Sequence, residues 1–304
     1  MSVPAETLTP GGQETTYDIE RQPRWLRLLR DIVRRPTGLF GLLVVLFLLF
    51  VLVGAPFLAP YSAAEPDVMR RLEGPSAEHL LGTDHLGRDI LSRLIFGTRI
   101  ALGTAFPSVL GALSAGLLLG LIAGYFGGNI DNVILIAMDT LQAFPAIILT
   151  LALLALIGSS TGNVILVIAI AFTPGYARIV RAQVLSYKEQ PFVEVERALG
   201  AGHLRIALVH ILPNIIAPLV ILLAMDLPAA ITTEAGLSFL GLGVRPPTPS
   251  WGVILSEGFA RIRSSPWPVL WTSLAIAITT LGFTLFGETL RDLLDPKLSG
   301  SQRA

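Results

Sequence analysis

The sequence predicts an all-α membrane protein with six transmembrane helices. Its 304 residues are 52% hydrophobic and only 14% charged, and the mean hydropathy is +0.67; soluble domains carry about 25% charged residues. The deficit is also concentrated. Charge-free stretches run from Pro36 to Ala64, Ile100 to Ile130, Thr140 to Ala177 and Ser264 to Gly287. A bilayer core needs about 20 apolar residues of helix, so each stretch can span, and the third has room for two.

The elements follow in order. Residues 1–23 are polar, rich in Thr, Gly, Pro and Glu, and expected to be disordered. Residues 24–35 place Trp25, Leu28, Leu29, Ile32 and Val33 at helical spacing between arginines, which reads as a basic amphipathic helix on a membrane surface or as an extension of the first span. The first apolar run is too long for a cleaved signal peptide. Span 1 is expected over roughly Gly38–Leu58, followed by a polar stretch to Arg99. Span 2 is expected at Ile100–Tyr125, span 3 at Val133–Ile157, and span 4 from Asn163 until it fades at Thr173-Pro174-Gly175. A charged segment, Arg178–Pro213, precedes span 5 at Ile215–Ala235. A Gly/Pro-rich loop, Gly236–Trp267, precedes span 6 at Pro268–Glu288. The units drawn are thus 1–23, 24–99 and 100–304.

Orientation follows from Lys and Arg. Six spans put both ends on one side. That side carries fourteen of the 22 basic residues, including those of the 178–213 segment, so the termini and that segment are expected in the cytoplasm. The net charge is zero, which gives no electrostatic case for nucleic acid. The absence of cysteine excludes disulfides and thiolate chemistry. In span 2, Gly116, Gly120 and Gly124 recur at every fourth position and allow another backbone to approach closely.

The most informative segment is PFVEVERALGAGHLRIALVHILPN, Pro191–Asn214. It reads as a short helix, a glycine break at Gly200, and a second amphipathic helix stopping at Pro213. Leu204, Ala207, Leu208 and Ile211 share one face. A short helix projecting from a bundle cannot bury that face alone and needs a partner surface.

This segment resembles the EAA loop of binding-protein-dependent ABC importer permeases, on Glu194, Ala198-Leu199, Gly200 and Leu212-Pro213. Val195 and Glu196 stand where that pattern carries two alanines. HLLGTDHLGRDILSRLIFGTRIAL (His79–Leu102) and EAGLSFLGLGVRPPTPSWG (Glu234–Gly252) are similar to signatures of the dipeptide/oligopeptide/nickel permease family, its C-type subunit, and DLLDPKL in the tail agrees. The resemblance runs from about Arg24 to Leu298. It implies a type I ABC importer permease-like bundle whose cytoplasmic coupling helix docks in a separate ATPase; Glu194, Glu196, Arg197, Ala198, Gly200, Leu212 and Pro213 form the coupling set. It implies a second homologous permease chain, two ATP-binding subunits that hold ATP and Mg, and an extracytoplasmic solute-binding protein. The substrate would be a dipeptide, an oligopeptide or a related small solute. No cofactor or metal is expected in this chain, although His79, Asp84 and His85 form a conceivable metal set.

Ionisable groups inside spans are functional candidates. Asp226 sits mid-span 5. Glu234 follows two turns later, rotated by roughly 80°, so both are candidates for the substrate pathway, with a peptide's α-amino group as a natural partner for Asp226. The second glycine-rich signature is expected to turn the chain at Gly236, Gly241 and Gly243. The only lysines are Lys188 and Lys297, and no G-x-x-x-x-G-K-[ST] loop exists, so nucleotide phosphates are not bound that way. The competing readings are an ion- or proton-coupled secondary transporter using Asp226 and Glu234, and an intramembrane enzyme. The second lacks a paired acid, base or metal set.

Overall fold

A computed structural model describes residues 24–294, so the tail at 1–23 and most of the DLLDPKL motif lie outside the described residues. The described residues form eleven α-helices with no sheet. α1 (Arg24–Arg34) leads directly into α2 (Pro36–Leu58), with Pro36 in the first turn, where its missing N–H is no loss. α3 (Ile90–Phe126) begins ten residues before the expected start of span 2, so the boundary drawn at 99 falls inside a helix. The reason is a cap: the Asp89 carboxylate accepts from the Ser92 amide at 2.7 Å and starts the helix within the polar signature.

Span 3 is not one helix. α4 (Gly128–Gln142) and α5 (Ala146–Ile157) meet at 91° across the break before Pro145. Proline disfavours helical backbone at the residue before it. Conversely, span 4 does not fade at Pro174: α6 runs unbroken from Thr161 to Lys188. A proline inside a membrane helix removes one backbone bond, which packed neighbours make tolerable, and Pro174 is buried.

The coupling segment also departs from expectation. α7 (Pro191–Ala198) is the short helix, but no second helix stops at Pro213. A turn, α8 (His203–Arg205), passes into a π-helical stretch (Ile206–Ile211) and straight on into α9 (Leu212–Phe239). Pro213 has no N–H for the preceding turn, and the wider π turn absorbs that loss. Likewise the Gly236–Trp267 stretch is not all loop. Gly236 lies within α9, Gly241 takes the turn with φ of +80°, and α10 (Trp251–Phe259) follows. α11 (Trp267–Leu294) closes the bundle.

Five helical stretches are long and apolar enough to cross a membrane, and the bent pair α4–α5 supplies a sixth crossing. Packing agrees with that count. Gly116, Gly120 and Gly124 of α3 meet Tyr176, Val180 and Val184 of α6 in the same order, so these helices run parallel and α4–α5 must carry the chain back once. Gly38 and Gly41 of α2 meet Thr289 and Phe286 of α11 in opposite order, and Arg35 pairs with Asp292 at 3.3 Å. Both ends of the described chain therefore share one end of the bundle with α7. α10 and residues 61–89 occupy the other.

Candidate functional site

α7 stands out at its end of the bundle because its apolar side chains are unburied. Val193 is fully buried and anchors the helix, whereas Phe192 is 40% exposed, Val195 57% and Leu199 77%, with Leu204 at 75% beyond the glycine. Gly200 ends α7 with φ of +83°. The Ala201 amide donates to the Glu196 carbonyl and the Gly200 amide to Arg197, both at 3.0 Å. This is a Schellman closure, which favours glycine at the left-handed position. The seven coupling residues are thus spread over two structures. Glu194, Glu196, Arg197 and Ala198 lie on α7, Gly200 terminates it, and Leu212 and Pro213 open α9. The Glu196 carboxylate approaches His210 Nε2 at 3.5 Å across the turn.

The α7 unit is tied to the bundle by polar contacts that sequence reasoning did not find. The Tyr125 hydroxyl meets His203 Nδ1 at 2.9 Å. Lys188 Nζ donates to the Gly124 carbonyl at 3.2 Å. Arg181 grips Asp131 with two donors, the second at 2.6 Å, and Arg178 donates to Asp139 at 2.7 Å. Every fourth-residue glycine of α3 lies against α6: a side chain on Gly120 would meet Val180 Cβ at 2.7 Å, and one on Gly124 would meet Val184 Cβ at 2.8 Å. α6 is thereby held against α3 along the stretch that leads to α7.

At the opposite end the chain closes on itself. Asp84, Arg88, Arg93 and Glu257 form a buried ion network. Arg88 Nε donates to Asp84 at 2.7 Å, Arg88 and Arg93 both donate to Glu257 at 2.8 Å, and Arg93 also pairs with Asp84. Burial pushes the Asp84 carboxyl up, but Arg93, Arg88 and the Leu86 and Arg88 amides outweigh it and hold the group below the usual carboxylate range. Asp84, His85 and Glu257 present ligand atoms within 4.8 Å of one another. Both carboxylates already meet guanidinium groups, and those two positive charges oppose a cation there. Of the metal set conceivable from sequence, His79 turns away to Asp89, with Nδ1 at 3.0 Å from the carboxylate.

The same network clamps α10. Trp251 Nε1 donates to the Leu94 carbonyl at 3.1 Å, with its ring against Gly97. Glu234 lies within this closure. It has no exposed surface, its Oε1 accepts from Ser238 Oγ at 2.7 Å, and that oxygen accepts from the Val244 amide at 3.1 Å. Gly252 brings α10 against the Ala235 carbonyl and seals the site. The structure therefore does not bring Glu234 and Asp226 into one cavity. Asp226 remains half-buried in the middle of α9, beside the Tyr176 hydroxyl of α6. Neither Tyr176 nor Glu257 stands out in the sequence, because each acts only through a partner more than thirty positions away.

A helical bundle with up to six apolar crossings defines a polytopic membrane protein. The model of the family described as binding-protein-dependent transport system inner membrane component matches residues 116–300, and that of the N-terminal TM domain of oligopeptide transport permease C matches residues 24–75. The chain is 40% identical over 274 residues to the dipeptide transport system permease protein DppC of Alkalihalophilus pseudofirmus, covering 90% of each chain. It is 43% identical over 275 residues to the glutathione transport system permease protein GsiD of Pectobacterium atrosepticum, again covering 90% of each. A di/tripeptide transport system permease protein DppC of Pseudomonas aeruginosa is 41% identical over 87% of this chain and 89% of its own. The chain belongs to the binding-protein-dependent inner membrane component family. It is a multi-pass permease subunit of an ABC importer.

Proposed function

We propose that this permease forms one half of a translocation pathway for short peptides, driven by separate ATPase subunits that grip α7 from the cytoplasm. The carrying observation is the unburied face of Phe192, Val195 and Leu199 on a helix that Val193 alone anchors. Full burial of such side chains is worth about 1.5–3 kcal/mol each, and a docking partner recovers the share still exposed. The basic excess at this end favours the cytoplasmic side. Relatives named for dipeptides, di/tripeptides and glutathione support a peptide substrate. ATP and Mg would be held by the partner ATPases, while a second permease chain would complete the pathway and an extracytoplasmic binding protein would deliver solute. On this reading α7 moves with the ATPases and α6, parallel to α3, carries the motion to the interior.

The chain has no cysteine, so a single Val195→Cys substitution gives a unique reporter. In the assembled importer it should cross-link to an ATPase subunit and do so differently with and without ATP. Labelling by a membrane-impermeant thiol reagent from the outside of intact cells would overturn the orientation. Uptake into vesicles lacking any ATPase would transfer the role to ion coupling.

A further inference from the structure

We propose that α1 is a docking face for acidic phospholipid, with Leu26, Leu29 and Val33 laid into the bilayer surface and Arg30 and Arg34 on the lipid phosphates. The sequence left two readings of this segment, a surface helix or a plain extension of the first span, and the backbone separates them. Arg35 is extended, with φ of −94° and ψ of 123°, because the residue before a proline is pushed out of helical backbone. Ile32 is 2% exposed, and its carbonyl lies where a side chain on Gly38 would stand. The last turn of α1 therefore folds against the first turn of α2 instead of continuing its axis. α2 crosses the membrane, so α1 is held at the level where the bilayer meets water.

The helix register then assigns each face. At about 100° per residue, Leu26, Leu29 and Val33 fall within roughly 60° of one another. All three are exposed, at 40%, 41% and 48%. Arg30 and Arg34 lie roughly 40–80° past Leu26, Ile32 roughly 60° past Leu29 on the other flank, and Asp31, the one acid of the helix, roughly opposite the strip. Around the circumference the order is bundle, apolar strip, arginines, water. That is the order of a helix lying in the interface, with its apolar face toward the acyl chains and its arginines at headgroup depth. Arg35 is taken by Asp292, whereas Arg30 and Arg34 are exposed and, among the described residues, form no ion pair. A guanidinium matches a phosphate with two parallel donors, and Asp31 is turned away from it. Past the bend, α2 continues with Phe40 and Leu43 exposed, so the surface stays apolar where the chain enters the membrane. Lipid, not a soluble partner, is what that position offers the strip.

The test uses the assembled importer in nanodiscs, with Leu29→Cys carrying a polarity-sensitive fluorophore on this chain's only cysteine. Phosphatidylglycerol supplies the acidic lipid and phosphatidylcholine the neutral one. In phosphatidylglycerol the fluorophore should report apolar surroundings, and in phosphatidylcholine more aqueous ones. Adding Arg30→Gln or Arg34→Gln should lower the bound-to-free ratio of α1, read from that signal, roughly fivefold each, the scale of one basic residue at an anionic surface. Arg30→Lys should keep most of the response, and Asp31→Asn should not diminish it. An apolar signal equal in both lipids overturns the proposal and hands the face to a protein partner. An aqueous signal in both overturns it too, as does a lipid response that survives the loss of both arginines. None of these outcomes touches the Val195→Cys cross-link, so the importer reading stands or falls separately.

Discussion

At the α10 end of the bundle Arg93 is 1% exposed and bound to two carboxylates, while at the α7 end Leu199 is 77% exposed and bound to nothing. Arg93 is a hidden charge and Leu199 a displayed apolar group, each the reverse of what its residue type prefers. Buried charges persist where they are paired, and here the carboxylates of Asp84 and Glu257 hold both buried guanidinium groups. Exposed apolar groups on a polar end lower their free energy only by meeting another surface. The contrast sets a paired, buried charge against an unpartnered apolar side chain within a single chain.

The sharpest way to break this contrast is to remove one charge from the network. Asp84→Ala leaves Arg88 and Arg93 short of a carboxylate, and breaking a buried pair in this way costs about 3–5 kcal/mol. The thermal midpoint of the purified complex should fall by several degrees. The pH dependence follows from the sign. Asp84 is held below its ordinary value, so its stabilisation is fully present above the unfolded carboxylate range and is lost as pH falls through the lower folded value. The Asp84→Ala penalty should therefore be constant from pH 7 to about 5 and shrink only below about 4. A penalty that already changes near pH 6 would mean that the network is not what holds Asp84.

The next effect lies between the two ends. Gly120→Val drives a branched side chain into Val180 of α6, and overpacking of this kind costs about 1–3 kcal/mol. Because α6 leads to α7, the same variant should lower uptake more than binding-protein-stimulated ATP hydrolysis. Equal loss of both would place the damage in assembly rather than in transmission. A smaller effect belongs to Gly200. A Cβ there meets nothing within 4 Å, so the strain comes only from φ of +83°. Gly200→Ala should cost about 1–2 kcal/mol locally, visible as faster amide exchange at Ala201 with the bundle unchanged.

How much of this was legible in the sequence depended on the range of the interaction. Hydrophobic runs fixed six crossings because burial in lipid is a property of each segment alone. Helix ends were misplaced where a distant or capping group decided them. Asp89 starts α3 early, buried Pro174 does not end α6, and a π turn carries the chain through Pro213. The glycine register of α3 pointed to a close partner without naming α6. Glu234 read as a pathway residue because an intramembrane carboxylate normally marks function; the closure by Ser238 and Gly252 depends on how α10 folds back, which no local pattern encodes.

The smallest expected effect on stability is the most informative about function. Val195→Ser replaces an exposed methyl pair with a hydroxyl on a face that touches nothing within this chain. Surface substitutions of this kind stay within about 0.5 kcal/mol, so the midpoint of the isolated permease should not move. If the face is completed by an ATPase, the assembled importer should still lose part of its uptake, with the affinity between permease and ATPase weakened and the peptide concentration for half-maximal uptake unchanged. A residue that matters only in company is what separates Val195 from Asp84, whose substitution should be felt by the chain alone. Unchanged uptake, with unchanged ATPase affinity, would leave the exposed apolar face of α7 without a role and remove the basis of the contrast.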